Sequence, residues 1–289
     1  VLGMFYANTL RHRLPAAWAP GIVFSAKSLL RIAVALYGFR ISVQELWQVG
    51  PKGLLASAAM LATTFVLGAW LGMRLLRLDR DTSLLVSAGS AVCGAAAVLA
   101  TEPVLGAKPH KSAVAVGTVV LFGTISMFLY PFLERAGVLG LPPEVYGVYV
   151  GASVHEVAHV VAAGSAVPGA VHTAVIVKMA RVMLLPALLL VLGFALARGG
   201  KGASRGVPRF ALAFLACVGI HSLGVVPEAW VRAINAADTF MLTMAMTALG
   251  METSAEKLRQ AGARPLVLAL GMYLWLVGGG YLVVRALFG

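Results

Sequence analysis

Long apolar runs, each ended by proline, glycine or charge, dominate the chain. They fall at about 22–42, 52–73, 82–104, 112–133, 144–164, 171–197, 209–225, 236–251 and 265–288. About 20 helical residues cross ~30 Å of hydrocarbon, and most of these runs approach that length. The pattern predicts an all-α, polytopic membrane protein. The opening Val1-Leu2-Gly3-Met4-Phe5-Tyr6-Ala7 is apolar but too short to span, and reads as the tail of a helix whose start is missing.

If each run crosses once, the loops alternate sides. One side collects Arg11, Arg13, Arg74, Arg77, Arg80, Arg135, Arg198, Lys201, Arg205, Arg209, Lys257, Arg259 and Arg264. The other holds Arg40, Lys52, Lys108, Lys111, Arg232 and Arg285. The Lys and Arg bias makes the first side cytoplasmic and the C-terminus periplasmic.

Composition agrees. The 289 residues are 60% hydrophobic and 12% charged, with a mean hydropathy of +0.90, whereas soluble domains are roughly 25% charged. The net charge of +12 does not make a nucleic-acid surface, because the basic residues sit in breaks between apolar runs rather than along an aromatic-laced stripe. Cys93 and Cys217 both lie in apolar segments and indicate neither a disulfide framework nor a cysteine metal site.

The chain repeats itself. Pro15–Leu54 aligns without a gap onto Pro227–Leu266, pairing Trp18 with Trp230, Ile22 with Ile234, Ala33 with Ala245 and Gly38 with Gly250. Ser42 with Ser254, Leu46 with Leu258, Gln48 with Gln260 and Gly50 with Gly262 keep the register. Composition alone does not place Trp, Ser, Gln and Gly at one constant offset. On the topology above the copies lie in opposite orientations, about 1–73 and 209–288 around central helices at about 82–197. Inverted repeats of this kind mark secondary transporters, with the substrate near the midplane.

A weaker echo links Gly89-Ser90-Ala91-Val92-Cys93-Gly94 to Gly151-Ala152-Ser153-Val154-His155-Glu156. With single crossings these segments share one orientation, which leaves them outside the inverted repeat. Their small residues permit either close helix packing or a helix broken at the midplane. The free N–H groups of the second half of such a helix would face an anion.

Charge inside the second segment sharpens the choice. His155, Glu156 and His159 are followed across a Pro168-Gly169 turn by Lys178 and Arg181, all within Val, Ala, Leu and Met. Ionisable groups within a bilayer are costly and mark function by default. His155-Glu156-Val157-Ala158-His159 spells H-E-x-x-H, which on a helix would set two imidazoles toward zinc with Glu156 as general base. A third ligand is scarce, since Asp79 and Asp81 fall in a loop and Asp238 stands at a helix start. The other reading is an anion site. Lys178 and Arg181, three apart, share a helical face, and Arg offers a bidentate fork. Ser90, Cys93, Gly94, Ser153, His155, Lys178 and Arg181 would bind the anion, with Glu156 and His155 exchanging a proton. A neutral structural cluster, with Glu156 paired to Arg181 or Lys178, is the bland rival.

Several blocks then resemble the YeiH family of bacterial inner-membrane proteins, described as sulfate exporters. They are Leu36-Tyr37-Gly38-Phe39-Arg40, Cys93-Gly94-Ala95-Ala96-Ala97-Val98-Leu99-Ala100-Thr101-Glu102-Pro103, Phe122-Gly123-Thr124 with Phe128-Leu129-Tyr130-Pro131, Val154-His155-Glu156-Val157-Ala158 and Lys178-Met179-Ala180-Arg181-Val182-Met183. The resemblance covers nearly the whole chain; family members carry an additional N-terminal helix and a complete second one, so the resemblance implies a truncation at that end. Relatives can carry Gln at the position of His159, which removes H-E-x-x-H. The resemblance implies one transmembrane domain over 1–289, a fold of the sodium/proton-antiporter and bile-acid-symporter type, and export of sulfate or sulfite by alternating access. An organosulfonate is an alternative cargo, and a non-transporting scaffold an alternative role. No cofactor is expected. The expected partners are a small inorganic or sulfonate anion, the bilayer, a coupling proton or sodium ion, and a second copy in a homodimer.

Overall fold

The computed structural model describes residues 9, 18–40, 42–198, 209–252 and 262–289. The described secondary structure is helical. In chain order it comprises α1 (Ala19–Phe24), a π-helical turn, α2 (Leu30–Leu36), a 3-10 turn (Tyr37–Arg40), α3 (Val43–Trp70), α4 (Arg80–Ala91), α5 (Ala95–Leu105), α6 (Pro109–Arg135), α7 (Pro143–Ser153) and α8 (Val157–Ser165). Then follow α9 (Val171–Met183), α10 (Leu185–Arg198), α11 (Arg209–Ser222), α12 (Glu228–Glu252), α13 (Arg264–Leu274) and α14 (Gly280–Phe288); besides the first π turn, Leu71–Leu75 after α3 and Trp275–Gly279 before α14 are also π-helical. Among the described residues four stretches are long and apolar enough to cross a membrane: Gly50–Leu75, Pro109–Arg135, Val171–Leu196 and Arg264–Phe288.

The chain divides into two compact units. The first is Val1–Val43, Leu99–Val114 and Pro186–Gly262; the second is Gln44–Val98, Ala115–Leu185 and Ala263–Gly289.

In the first unit α1 and α2 run antiparallel to α12. Trp18, Gly21, Ile22 and Ser25 line a cavity of ≈ 630 Å³ with Phe240, Met244, Ala248 and Met251 from the C-terminal half of α12. At the other end Arg40 reaches back to Asn235 and Asp238. Ala33 and Ala245, equivalent in the repeat, are both fully buried, while the equivalent Trp18 and Trp230 are both exposed. Asp238 lies inside α12 rather than at a helix start, because the helix begins a full two turns earlier at Glu228.

The second unit repeats the arrangement. Gly68 packs on Met272, Gly72 on Leu268 and Met60 on Gly280, so the stretch after Gly50 runs antiparallel to α13 and α14. Continuing the offset of the repeat pairs Thr64 with Leu276, and both are fully buried. Gly50 (φ 72°) and Gly262 (φ 70°) are matched positions that both take the left-handed conformation just before a proline-initiated helix. Ser254, Leu258 and Gln260 of the repeat lie outside the described residues.

Two expected crossings are replaced by reversals. The run 144–164 is a hairpin. The Tyr146 hydroxyl donates to Ala163 O, 17 residues away, which a straight helix would hold some 25 Å off. Gly147 faces Ala170 and Thr173, and Gly151 faces Ala174 and Val177, so α9 runs parallel to α7 with α8 returning between them. The spacing of Gly147 and Gly151 lets the two backbones touch, as small residues four apart do in membrane helices. The run 82–104 also turns back, because the Val98 side chain covers Gly89 across the left-handed Gly94 (φ 81°).

A hairpin returns to the side it came from. If every other run crosses once, the two reversals would group Lys108 and Lys111 with the arginine-rich loops and Arg135 with the others, a sharper bias along the sequence. The two echo segments become hairpin tips approaching from opposite sides. The shared orientation expected for them was an artefact of counting each run as one crossing.

Candidate anion site

Both tips lie in the second unit, at Val92-Cys93-Gly94 and Val154-His155-Glu156. Breaking a helix frees carbonyls at the end of its first half and N–H groups at the start of its second. Water cannot satisfy them at such burial, so side chains must.

Lys178 and Arg181 satisfy the carbonyl ends. Lys178 Nζ donates to Val92 O (2.6 Å) and Val154 O (2.8 Å), equivalent positions of the two tips. Arg181 Nε donates to Ala91 O (2.6 Å), Nη2 to Ser90 O (2.7 Å) and Nη1 to Ala152 O (2.8 Å). Both side chains are fully buried on one face of α9. One residue pair thus ties two hairpins together through five backbone bonds.

Glu156 takes the opposite role. Its Oε1 accepts from Ala95 N at the start of α5 (3.3 Å), and its Cγ lies where a side chain on Gly94 would stand. A carboxylate from one tip therefore rests on the N-terminus of the helix leaving the other, where the helix dipole favours negative charge. Its Oε2 lies 3.9 Å from His159 Nδ1, whose ring packs on Gly123. The Glu156 side chain makes no capping hydrogen bond to α8, the helix it precedes, whose Val160 N donates instead to the Glu156 backbone carbonyl.

The structure gathers the other sequence candidates here with unequal roles. Ser90, Cys93, Gly94, Ser153 and His155 are all in the tips or the turns next to them. Ser153 donates to its own Tyr149 O (2.5 Å), so its hydroxyl proton is spent inside α7. The buried hydroxyl of Ser90 and the buried Nδ1 of His155 have no hydrogen-bond partner. The His155 ring lies 6.2 Å from that of Tyr273, brought in by α13, and Phe122 stacks on the same tyrosine. Nothing in sequence spacing points to Tyr273 or Gly123 as neighbours of the tips.

Two expectations change. Glu156 forms no hydrogen bond or ion pair to Arg181 or Lys178; backbone carbonyls take that place. The H-E-x-x-H reading needs both imidazoles on one helix, yet α8 starts at Val157 and leaves His155 in the turn. Among the described residues no three His, Cys, Asp or Glu side chains group as a metal site.

Formal charge at the tips does not cancel. Lys178 and Arg181 bring two positive charges and Glu156 one negative. The two carbonyl ends and two amide ends carry roughly half a charge each and offset one another. With the imidazoles counted as uncharged, one positive charge is left over.

Known sequences place the chain in a family. The family model described as conserved hypothetical protein 698 matches residues 1–269. The chain belongs to this family, UPF0324. A UPF0324 membrane protein of Pseudomonas putida is 54% identical over 97% of this chain and 81% of its own length. One from Bacteroides thetaiotaomicron is 50% identical over 99% of this chain and 88% of its own. The UPF0324 inner membrane protein YeiH of Salmonella typhimurium is 43% identical over 97% and 82%. The resemblance read from the motifs is therefore a family relation, and this UPF0324 member is a membrane protein. No solved structure matches the chain.

Proposed function

We propose that this UPF0324 protein is a secondary transporter that exports a small sulfur oxyanion across the bacterial inner membrane by alternating access. The observation carrying this reading is the pair of hairpin tips whose carbonyl ends are held by Lys178 and Arg181, leaving one uncompensated positive charge. Buried charge without a counter-charge is costly, and an anionic cargo supplies what is missing. Lys178 and Arg181 act through field and architecture, since carbonyls occupy the donors they direct at the tips. Direct contacts fall to the amides at the starts of α5 and α8 and to Ser90, Cys93, Gly94 and His155, while Ser153 would have to release Tyr149 O before it could donate.

The repeat supports the same reading. In each unit matched helices cross antiparallel at matched residues, as an inverted repeat requires. The sulfur chemistry comes from the family resemblance alone, with an organosulfonate as the second candidate. Coupling to a proton through Glu156 and His155, or to sodium, belongs to the same proposal.

Proteoliposomes loaded with labelled sulfite or sulfate test it. Flux of at least one anion above protein-free vesicles is expected; none with either removes the substrate. A scaffold would instead show no anion-dependent thermal shift, and none altered by Lys178→Ala or Glu156→Gln.

A further inference from the structure

The charge balance at the tips says which oxyanions fit. Counted formally, two fully buried cations stand against one part-buried carboxylate, and that carboxylate is anchored on Ala95 N. One negative charge completes the balance. A second would leave net negative charge in a low-dielectric site, where it is expensive.

We infer that the cargo is a singly charged tetrahedral or pyramidal oxyanion, such as hydrogen sulfite or a small sulfonate, and that Glu156 is the residue that rejects dianions such as sulfate. The inference rests on the transport reading above and narrows it. Its geometry has three parts. Glu156 Oε1 already holds one of the amides an oxyanion would use, so it acts as a tethered competitor as well as a source of repulsion. Gly94 has no side chain, and a Cβ there would stand 2.5 Å from Glu156 Cγ, so the carboxylate lies directly on the tip. His155 Nδ1, 1% exposed and unpartnered in the facing tip, offers a polar atom that the fold itself leaves unused. A dianion would have to share this space with a fixed negative charge; a monoanion meets a site already lowered to the right charge.

Replacing Glu156 by Gln keeps the shape and the acceptor to Ala95 N while removing the charge. Two net positive charges then remain, and a dianion becomes the better match. Binding of methanesulfonate and sulfate to the purified full chain in detergent, each followed by displacement of a labelled anion, measures the ratio. The wild type is expected to favour methanesulfonate by at least about tenfold, or ~1.4 kcal/mol. Glu156→Gln is expected to bring the ratio to unity or invert it, chiefly by tightening sulfate. Glu156→Ala, which also frees the Ala95 amide, should move the ratio the same way, and a shift in either variant supports the inference. A wild type that prefers sulfate, or an unchanged ratio in both variants, overturns it while anion transport stands. If wild type and both variants bind neither anion, the transport reading fails as well, and the flux assay shows that separately.

Discussion

Two buried charge centres, one in each unit, solve the same problem in opposite ways. In the first unit Asp238, fully buried in α12, meets Arg40 at 2.8 Å, with the Arg40 guanidinium also over the Tyr37 ring. Charge meets charge, Arg40 bonds two further groups of the same helix, and no net charge is left over. In the second unit Lys178 and Arg181 bond only backbone carbonyls, and the carboxylate nearby is assigned elsewhere. The first centre staples two helices. The second holds two helix breaks open and keeps a charge in reserve. Ionisable groups held inside a membrane protein mark a functional-site hypothesis by default, and the proposed anion would complete the second centre.

The comparison can be broken by experiment. The largest effect is expected at Arg181: Arg181→Ala leaves three buried carbonyls unpaired at about 1–3 kcal/mol each, enough to abolish a stable fold in detergent. Arg181→Lys should fall between this variant and wild type, since a single ammonium cannot reproduce the fork. Recovery of wild-type melting in Arg181→Ala would show that the carbonyls find other donors.

Next comes the staple. Arg40→Ala should cost about 3 kcal/mol by stranding Asp238. The double variant Arg40→Leu with Asp238→Leu should return to within about 1–2 kcal/mol of wild type, because an ion pair can be exchanged for apolar contact. Lys178→Leu with Arg181→Leu should not recover, since the carbonyls remain. Equal behaviour of the two double variants in denaturant titrations would erase the distinction.

A smaller loss is expected at Gly151. Its Cα sits against Ala174 O, so Gly151→Ala should separate α7 from α9 and cost about 1–3 kcal/mol, read as a lower melting temperature. The smallest effects test the repeat. Gly50→Ala and Gly262→Ala each force a side chain into the left-handed region, at about 1–2 kcal/mol. Similar losses are expected at the two matched sites, and a loss at only one would unlink them.

Much of this was legible along the chain. The spans 52–73, 112–133 and 265–288 correspond within a few residues to helices at Gly50–Leu75, Pro109–Arg135 and Arg264–Phe288. The repeat offset located residues that are buried or exposed in pairs. Ser90, Val92 and Gly94 stood out beside Ala152, Val154 and Glu156 because small residues cluster in both segments. What stayed hidden is the reversal. A hydropathy pattern gives the length of an apolar stretch, and a hairpin of two short apolar helices has the same length and composition as one spanning helix. Tyr146 and Ala163 look as far apart as any two residues at that separation.

The sequence by itself determined the solvent, the number of apolar stretches, the duplication and the membership of UPF0324, since each depends on residue type and spacing alone. Tertiary structure decided what the buried cations do. A broken helix survives only if its free carbonyls and amides find partners, and here those partners arrive from 24 to 91 residues away. Backbone groups carry no sequence signature, so no pattern in the chain could reveal that Lys178 and Arg181 answer to carbonyls while Glu156 answers to an amide.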